Sequence, residues 1–268
     1  MDEASLRADM IEGLEHQIGE TLDEPVLAAL QRVSRDPFVD DSPTAAGGDA
    51  GRERGSAGNG DRSLAPETVV RLLSALDADE GDEVLVVGAG VGYSVALLAE
   101  MAGARHVHAV DIDREAVAVA RSNLSTAGYD AVLVDRRDGA NGLPEYAPYD
   151  RILLEAGVVE PPRALREQLA EGGRIVYPRG TAVQTIAAIE PDSERGASDG
   201  SADDDDAPPG FRTVETAGPA RLQPMLVDGE QRGVERNRTR REDAERADMG
   251  HFARHGWEQD WIDWDDRL

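Results

Sequence analysis

The sequence predicts an α/β domain with a mostly parallel, twisted sheet and helices on both faces. Three observations predict it. From residue 66 onward, apolar strand-like runs alternate with stretches of helical periodicity, the signature of parallel β-α-β units. One run, Glu83-Val84-Leu85-Val86-Val87, is continuously apolar after its first residue, as a strand covered on both faces must be. It ends in the turn Gly88-Ala89-Gly90-Val91-Gly92, which leads into a further helical segment.

Taken in order, residues 5–18 place Leu6, Met10, Ile11, Leu14 and Ile18 on one face of an amphipathic helix. A second short helix is expected from Pro25 to Val33. Between Asp40 and Asp61 the composition falls to Gly, Ala, Ser, Asp and Arg. With nothing periodic to bury, that stretch cannot offset its ordering entropy and reads as a mobile loop. Further on, helices are expected over Pro66–Leu76, Tyr93–Ala102, Arg114–Ala127 and Ala164–Leu169. Strands are expected over Glu83–Val87, His106–Val110, Ala131–Val134, Arg151–Leu154 and Arg174–Tyr177. Two more strand-like segments, Val183–Ile189 and Phe211–Glu215, flank an acidic stretch with four consecutive aspartates and Pro208-Pro209, which reads as a long solvated hairpin loop. The tail beyond Arg232 is charged, and Trp257, Trp261 and Trp264 lie at helical spacing. Those indoles would dock on the domain's own surface or on a partner.

The formal net charge is −26, and all 28 basic residues are Arg. Such a surface repels nucleic acid and anionic lipid, so neither is expected as a partner. It reads as adaptation to high salt, where screening tames self-repulsion; a surface made for a cationic partner is the other reading. Without cysteine there is no disulfide, thiolate site or cysteine nucleophile. An acidic N-terminus without a basic n-region, and no run of about 18 apolar residues, predict a soluble cytoplasmic protein. His106, His108, His251 and His255 could tempt a metal reading, but no third or fourth ligand converges, so no metal site is expected. Oligomeric state cannot be read.

The chemistry concentrates at the glycine turn, where glycines let the backbone bend tightly and a ligand approach closely. Asp111 ends the second strand, about twenty residues further on, where a carboxylate can accept both hydroxyls of a ribose. Asp138, followed by Gly139, comes after the third strand, where it can accept from an adenine amino group. A dinucleotide site would want a glycine at position 93, which is Tyr. The alternative is that the glycines only make a turn and both aspartates are solvated.

At these residues the chain resembles the protein-L-isoaspartate O-methyltransferases. The resemblance lies in Asp82-Glu83-Val84-Leu85-Val86-Val87 with the turn and Tyr93, in Asp138-Gly139, in Ala147-Pro148-Tyr149-Asp150-Arg151-Ile152, and in Gln168-Leu169-Ala170-Glu171-Gly172-Gly173-Arg174. Weaker similarity lies in Val33-Ser34-Arg35-Asp36-Pro37-Phe38-Val39 and in Pro219-Ala220-Arg221-Leu222-Gln223-Pro224-Met225, the latter matching the family's closing strand. The resemblance implies a Rossmann-like S-adenosylmethionine-dependent methyltransferase fold. It also implies methyl transfer from S-adenosyl-L-methionine to the carboxylate of L-isoaspartyl residues in damaged proteins or peptides. Cofactor roles map onto Gly88, Ala89, Gly90, Gly92, Asp111, Ile112, Asp138 and Gly139. The family's Gly-Gln-Thr-Ile-Ser-Ala-Pro phrase aligns on Ala65-Pro66, which puts Leu64 at the serine of the reaction centre. Ser63, one place early, is then the candidate catalytic residue. The departure leaves two alternatives: a methyltransferase with another acceptor, or a catalytically inactive binding protein on the same fold. The expected organisation is an N-terminal helical segment (1–40), a flexible Gly-rich loop (41–62), the Rossmann-like domain (63–228) with a disordered acidic insertion (191–210), and a charged tail with a Trp helix (229–268).

Overall fold

The computed structural model describes residues 11–16, 18, 21–39, 63–181, 183–192 and 207–225. All of them fall within one compact unit, Met1–Gln231. The expectations for the Gly-rich loop, the aspartate run and the tryptophan tail lie outside the described residues, as do His251 and His255.

The described elements begin with helical residues 11–16, where Ile11 and Leu14 are buried, then α1 (Glu24–Arg32) and α2 (Pro66–Leu76). The alternating part follows: β1 (Val84–Val87), α3 (Tyr93–Leu98), β2 (Val107–Asp111), α4 (Arg114–Thr126), β3 (Leu133–Arg136), β4 (Tyr149–Leu154), α5 (Arg163–Glu167) and β5 (Leu169–Arg179). A hairpin of β6 (Gln184–Pro191) and β7 (Phe211–Ala220) ends the sheet. The strand order is β3-β2-β1-β4-β5-β6-β7. Pairing is parallel from β3 through β5 and antiparallel for β6 and β7.

The winding of the chain therefore reverses between β1 and β4, although the two strands are parallel. Successive crossovers run one way from β1 to β3 and the other way from β4 to β5. In open parallel sheets the crevice outside the strands' carboxyl ends at such a switch point is where ligands bind. Because β6 runs antiparallel to β5, the β6–β7 connection leaves from the opposite edge of the sheet. Its ends are held there by the Asp192 N–H donating to the Gly210 carbonyl at 2.9 Å.

Two apolar layers hold the sheet. Alternate strand residues point to opposite faces, so Val84, Val86, Val107, Ala109 and Val176 join one cluster with the buried sides of α1, α2, α3 and α4. Leu85, Val87, Val110, Ile152 and Ile175 face the other layer, covered by Leu143, Tyr149 and Leu165 of α5. Leu72, Leu73 and Leu76 of α2 are fully buried, each stabilising by roughly 1.5–3 kcal/mol. Pro66 opens α2 at the position where its missing N–H costs nothing. Arginines satisfy the other end: Arg174 Nη1 donates to the Ala75 carbonyl at 3.0 Å and Arg151 Nε to the Asp77 carbonyl at 2.9 Å.

Several boundaries differ from the sequence expectation. The helix expected to Ala102 is α-helical only to Leu98 and widens into a π turn over Ala99–Gly103. The third strand lies two residues later than expected, because at the sheet's edge polar Asp135 and Arg136 pair with Val110 and Asp111. β5 extends well beyond Arg174–Tyr177: β4 pairs with Leu169 and, after an irregularity, with Arg174 to Val176, and β6 carries the pairing on to Arg179. The closing strand is corrected to Phe211–Ala220. Residues 221–225 instead return across the sheet end, where Pro224 bridges to Gly157 and the buried Gln184 side chain bonds both the N–H and the carbonyl of Leu222.

Candidate functional site

Main-chain hydrogen bonds stitch together the loops that leave the carboxyl ends of the central strands. Gly88 and Ala89 N–H groups donate to the Val110 carbonyl at 2.8 and 3.2 Å, Arg137 N–H to the Asp111 carbonyl at 3.0 Å, and Glu155 N–H to the Val87 carbonyl at 2.8 Å. The predicted stations after β1, β2 and β3 are thereby neighbours.

The turn itself needs glycine. Gly88, Gly90 and Gly92 have φ values of 100°, 53° and 91°, a left-handed region that a Cβ disfavours. Gly92 then forms the N-terminal boundary of α3. Asp111 points into this bend: its Oδ2 accepts from the Gly90 N–H at 3.1 Å and its Oδ1 from the Asp113 N–H at 2.9 Å. Each oxygen keeps a further lone pair for a ligand hydroxyl. Ile112, next to it, is 64% exposed, so a large apolar side chain stands free beside the carboxylate. Asp138 accepts from the Ala140 N–H at 3.0 Å, capping the 3-10 turn Gly139–Asn141 and leaving its second oxygen outward. Gly139 is required by close approach, because a Cβ there would collide with the Val87 side chain at the end of β1.

Beyond the turn, on its β4 side, lies a cavity lined by Leu64, Ala89, Val91, Tyr93, Ser94 and Glu155, with Gly92 and Val69. Leu64 lines it, whereas Ser63 is not among these residues; Ser63 is half-buried and makes a contact of its own. Phe38 packs on Tyr93 with ring centroids 5.6 Å apart, and the Arg35 guanidinium lies 5.7 Å from the centre of that ring. The Val33–Val39 phrase is thus brought to the same rim as Leu64.

Glu155 is the functional candidate that sequence reasoning missed. It follows β4 directly and packs over Gly88. Its Oε1 is sealed from solvent and has no hydrogen-bond partner. Burial pushes its carboxyl up to about 7; a hydrogen bond from Ser94 opposes that shift and the Asp111 charge adds to it. The signal that could have found it is its place, the first residue after the apolar run Ile152-Leu153-Leu154 of the strand flanking β1.

The histidines at the start of β2, His106 just before it and His108 within it, are structural. His106 Nδ1 meets Glu83 Oε1 at 2.6 Å. His108 is buried beneath Tyr146, ring centroids 4.5 Å apart, and burial lowers its pKa below the usual value. Among the described residues no cluster of His, Cys, Asp and Glu could hold a metal ion, and no helix is long and apolar enough to cross a membrane.

Residues 5–199 match the family described as Protein-L-isoaspartate(D-aspartate) O-methyltransferase. A protein-L-isoaspartate O-methyltransferase of Aeropyrum pernix is 44% identical over 193 residues, spanning 70% of this chain and 72% of that protein. One of Methanococcoides burtonii is 39% identical over 175 residues, spanning 64% and 84%. Among solved structures, a protein-L-isoaspartate O-methyltransferase superposes with a TM-score of 0.62 at 22% identity, covering 82% of this chain and 66% of its own. A putative one from Plasmodium falciparum, in complex with S-adenosyl-L-homocysteine, gives 0.61 at 16%, covering 81% and 97%. At those identities the superpositions establish the shared fold, a Rossmann-like methyltransferase sheet.

Proposed function

Because the chain belongs to the protein-L-isoaspartate(D-aspartate) O-methyltransferase family, we propose that it transfers the methyl group of S-adenosyl-L-methionine to the carboxylate of L-isoaspartyl residues in damaged proteins. The observation that carries this reading beyond family membership is the Asp111 carboxylate turned into the glycine bend and bonded to Gly90.

The residues present fit the cofactor. Asp111 would take the ribose hydroxyls, Asp138 the adenine amino group and Ile112 a face of the base. Gly88, Ala89, Gly90 and Gly92 would let the methionine part lie against the main chain, and Gly139 keeps the Asp138 loop close to β1. When bound, S-adenosyl-L-methionine supplies a methyl group made electrophilic by its sulfonium. The acceptor carboxylate, with an ordinary pKa near 4, is ionised at neutral pH and needs no general base. What the chain contributes is position and exclusion of water: Tyr93, Val91 and Leu64 wall the cavity. In such a site an error of about 1 Å costs on the order of a hundredfold in rate. Ser63, adjacent to that wall, is proposed to help orient the acceptor.

The test is incubation with tritiated S-adenosyl-L-methionine and an isoaspartyl peptide in molar salt. Volatile methanol release above that of an aspartyl control supports the reading, and release equal to the control defeats it. Leu64 on the cavity wall, where the family places a serine, favours one second reading, a different acceptor. Tight cofactor binding without isoaspartyl turnover would select it. The setting proposed for the enzyme is the cytoplasm of a high-salt cell, with isoaspartyl proteins rather than nucleic acid or membrane as partners. The proposed organisation is a methyltransferase domain over 63–228 preceded by an N-terminal helical segment over 1–40.

A further inference from the structure

Four strand ends meet at the site in the spatial order β3, β2, β1, β4. Three carry the stations already described: Asp138 after β3, Asp111 at the end of β2 and the glycine turn after β1. The fourth carries Glu155. A ligand whose sugar is held at β2 and which crosses the β1 turn reaches β4 next, about 10 Å further on at the usual strand spacing. With S-adenosyl-L-methionine, the part arriving there is the amino-acid end, whose ammonium and sulfonium are both cationic.

Glu155 is suited to receive a cation and has none. Its Oε1 is without solvent or partner, and among the described residues lining the cavity it is the sole carboxylate, with no Arg or His. The charged and polar groups that bear on it are Asp111, which adds negative potential, and Ser94, whose hydroxyl bonds it. β1 supplies no acid of its own, since Val84, Leu85, Val86 and Val87 are all apolar and buried. An unpaired buried carboxylate is costly and one facing a cation is not.

We propose that Glu155 is a fourth cofactor-binding station, whose carboxylate pairs with the α-ammonium of the cofactor's methionine end. This rests on the methyltransferase reading and assigns a residue within it. Glu155 is partly protonated near pH 7 in the free protein, so pairing with an ammonium requires it to release that proton.

The test is calorimetry of the full chain with S-adenosyl-L-homocysteine, which keeps the ammonium but lacks the sulfonium charge, and with 5′-methylthioadenosine, which lacks the amino-acid end. Glu155→Gln is expected to weaken S-adenosyl-L-homocysteine roughly 10- to 100-fold and to change 5′-methylthioadenosine by less than about twofold. In the wild type, titration at pH 7 in buffers of different ionisation enthalpy should show net proton release as S-adenosyl-L-homocysteine binds. That release should vanish in the variant; it needs no mutation to be seen, so a poorly folded variant does not spoil the test. Equal affinity of both proteins for S-adenosyl-L-homocysteine overturns the proposal and leaves the methyltransferase reading intact. Loss confined to S-adenosyl-L-methionine assigns Glu155 to the sulfonium and overturns it too. A rise in KM for the isoaspartyl peptide alone would place Glu155 on the acceptor, with the same consequence. Failure of the wild type to bind either nucleoside overturns both readings together.

Discussion

Asp111 does two jobs with one carboxylate, holding the glycine bend through Gly90 and starting the turn into α4 through Asp113. On the proposed cofactor reading, Asp111→Ala should weaken S-adenosyl-L-homocysteine by at least about tenfold, because two ribose hydroxyls would lose a charged acceptor; calorimetry reads it directly. Glu155 makes a prediction about stability. Its carboxyl titrates near 7 in the folded chain but near 4.3 unfolded, so the folded state binds the proton more tightly. Its contribution is most favourable below pH 4.3, declines between 4.3 and 7, and is least favourable above 7. The thermal midpoint of Glu155→Gln should match the wild type at pH 4 and exceed it at pH 8, by on the order of 5 °C. Asp111 and Asp138 were legible because each has a fixed place relative to a local motif. Glu155 was not: in a chain with 54 acidic residues, a lone glutamate carries no signal until the strand order puts β4 beside β1.

The alternating elements of the central sheet were legible because periodicity and turn residues act locally. Pro66 and the left-handed Asp77 bound α2 where the pattern predicts. What escaped the sequence depends on neighbours. β3 carries Asp135 and Arg136 because an edge strand tolerates polar side chains, and β5 reaches back to Leu169 across an irregularity because Tyr149 of β4 pairs with it there. The segment after β7 is expected to be strand from its resemblance to the family's closing strand, yet it is held by main-chain bonds to Gly157 and by the side chain of Gln184. That side chain is buried and bonds Leu222 N–H at 2.7 Å and Leu222 carbonyl at 2.8 Å. Gln184→Leu should strip both partners at once and leave buried main-chain groups unpaired. A loss of about 2–4 kcal/mol in urea unfolding is expected, with faster hydrogen exchange at Leu222 and Met225.

At the scale of the whole chain acidic residues outnumber arginines, and among the described residues arginines gather in a few clusters. Arg174 and Arg212 share Glu190, and Arg137 spans Asp135 and Glu145. These exposed and half-exposed pairs contribute little individually, so the net charge of −26 dominates. Screening should relieve it, and the thermal midpoint should rise by at least about 5 °C between 0.1 and 2 M NaCl, as scanning calorimetry would show. The same sheet separates two ends of the molecule. β6 carries the chain the full length of its eight residues, about 26 Å, away from the glycine bend before Asp192 turns back to Gly210. Replacing residues 193–209 by a two-residue link should leave methyl-transfer rate and cofactor affinity within about twofold. An experimenter gains a handle from this separation: a fluorophore or surface tether grafted between Asp192 and Gly210 would leave the reacting face unobstructed.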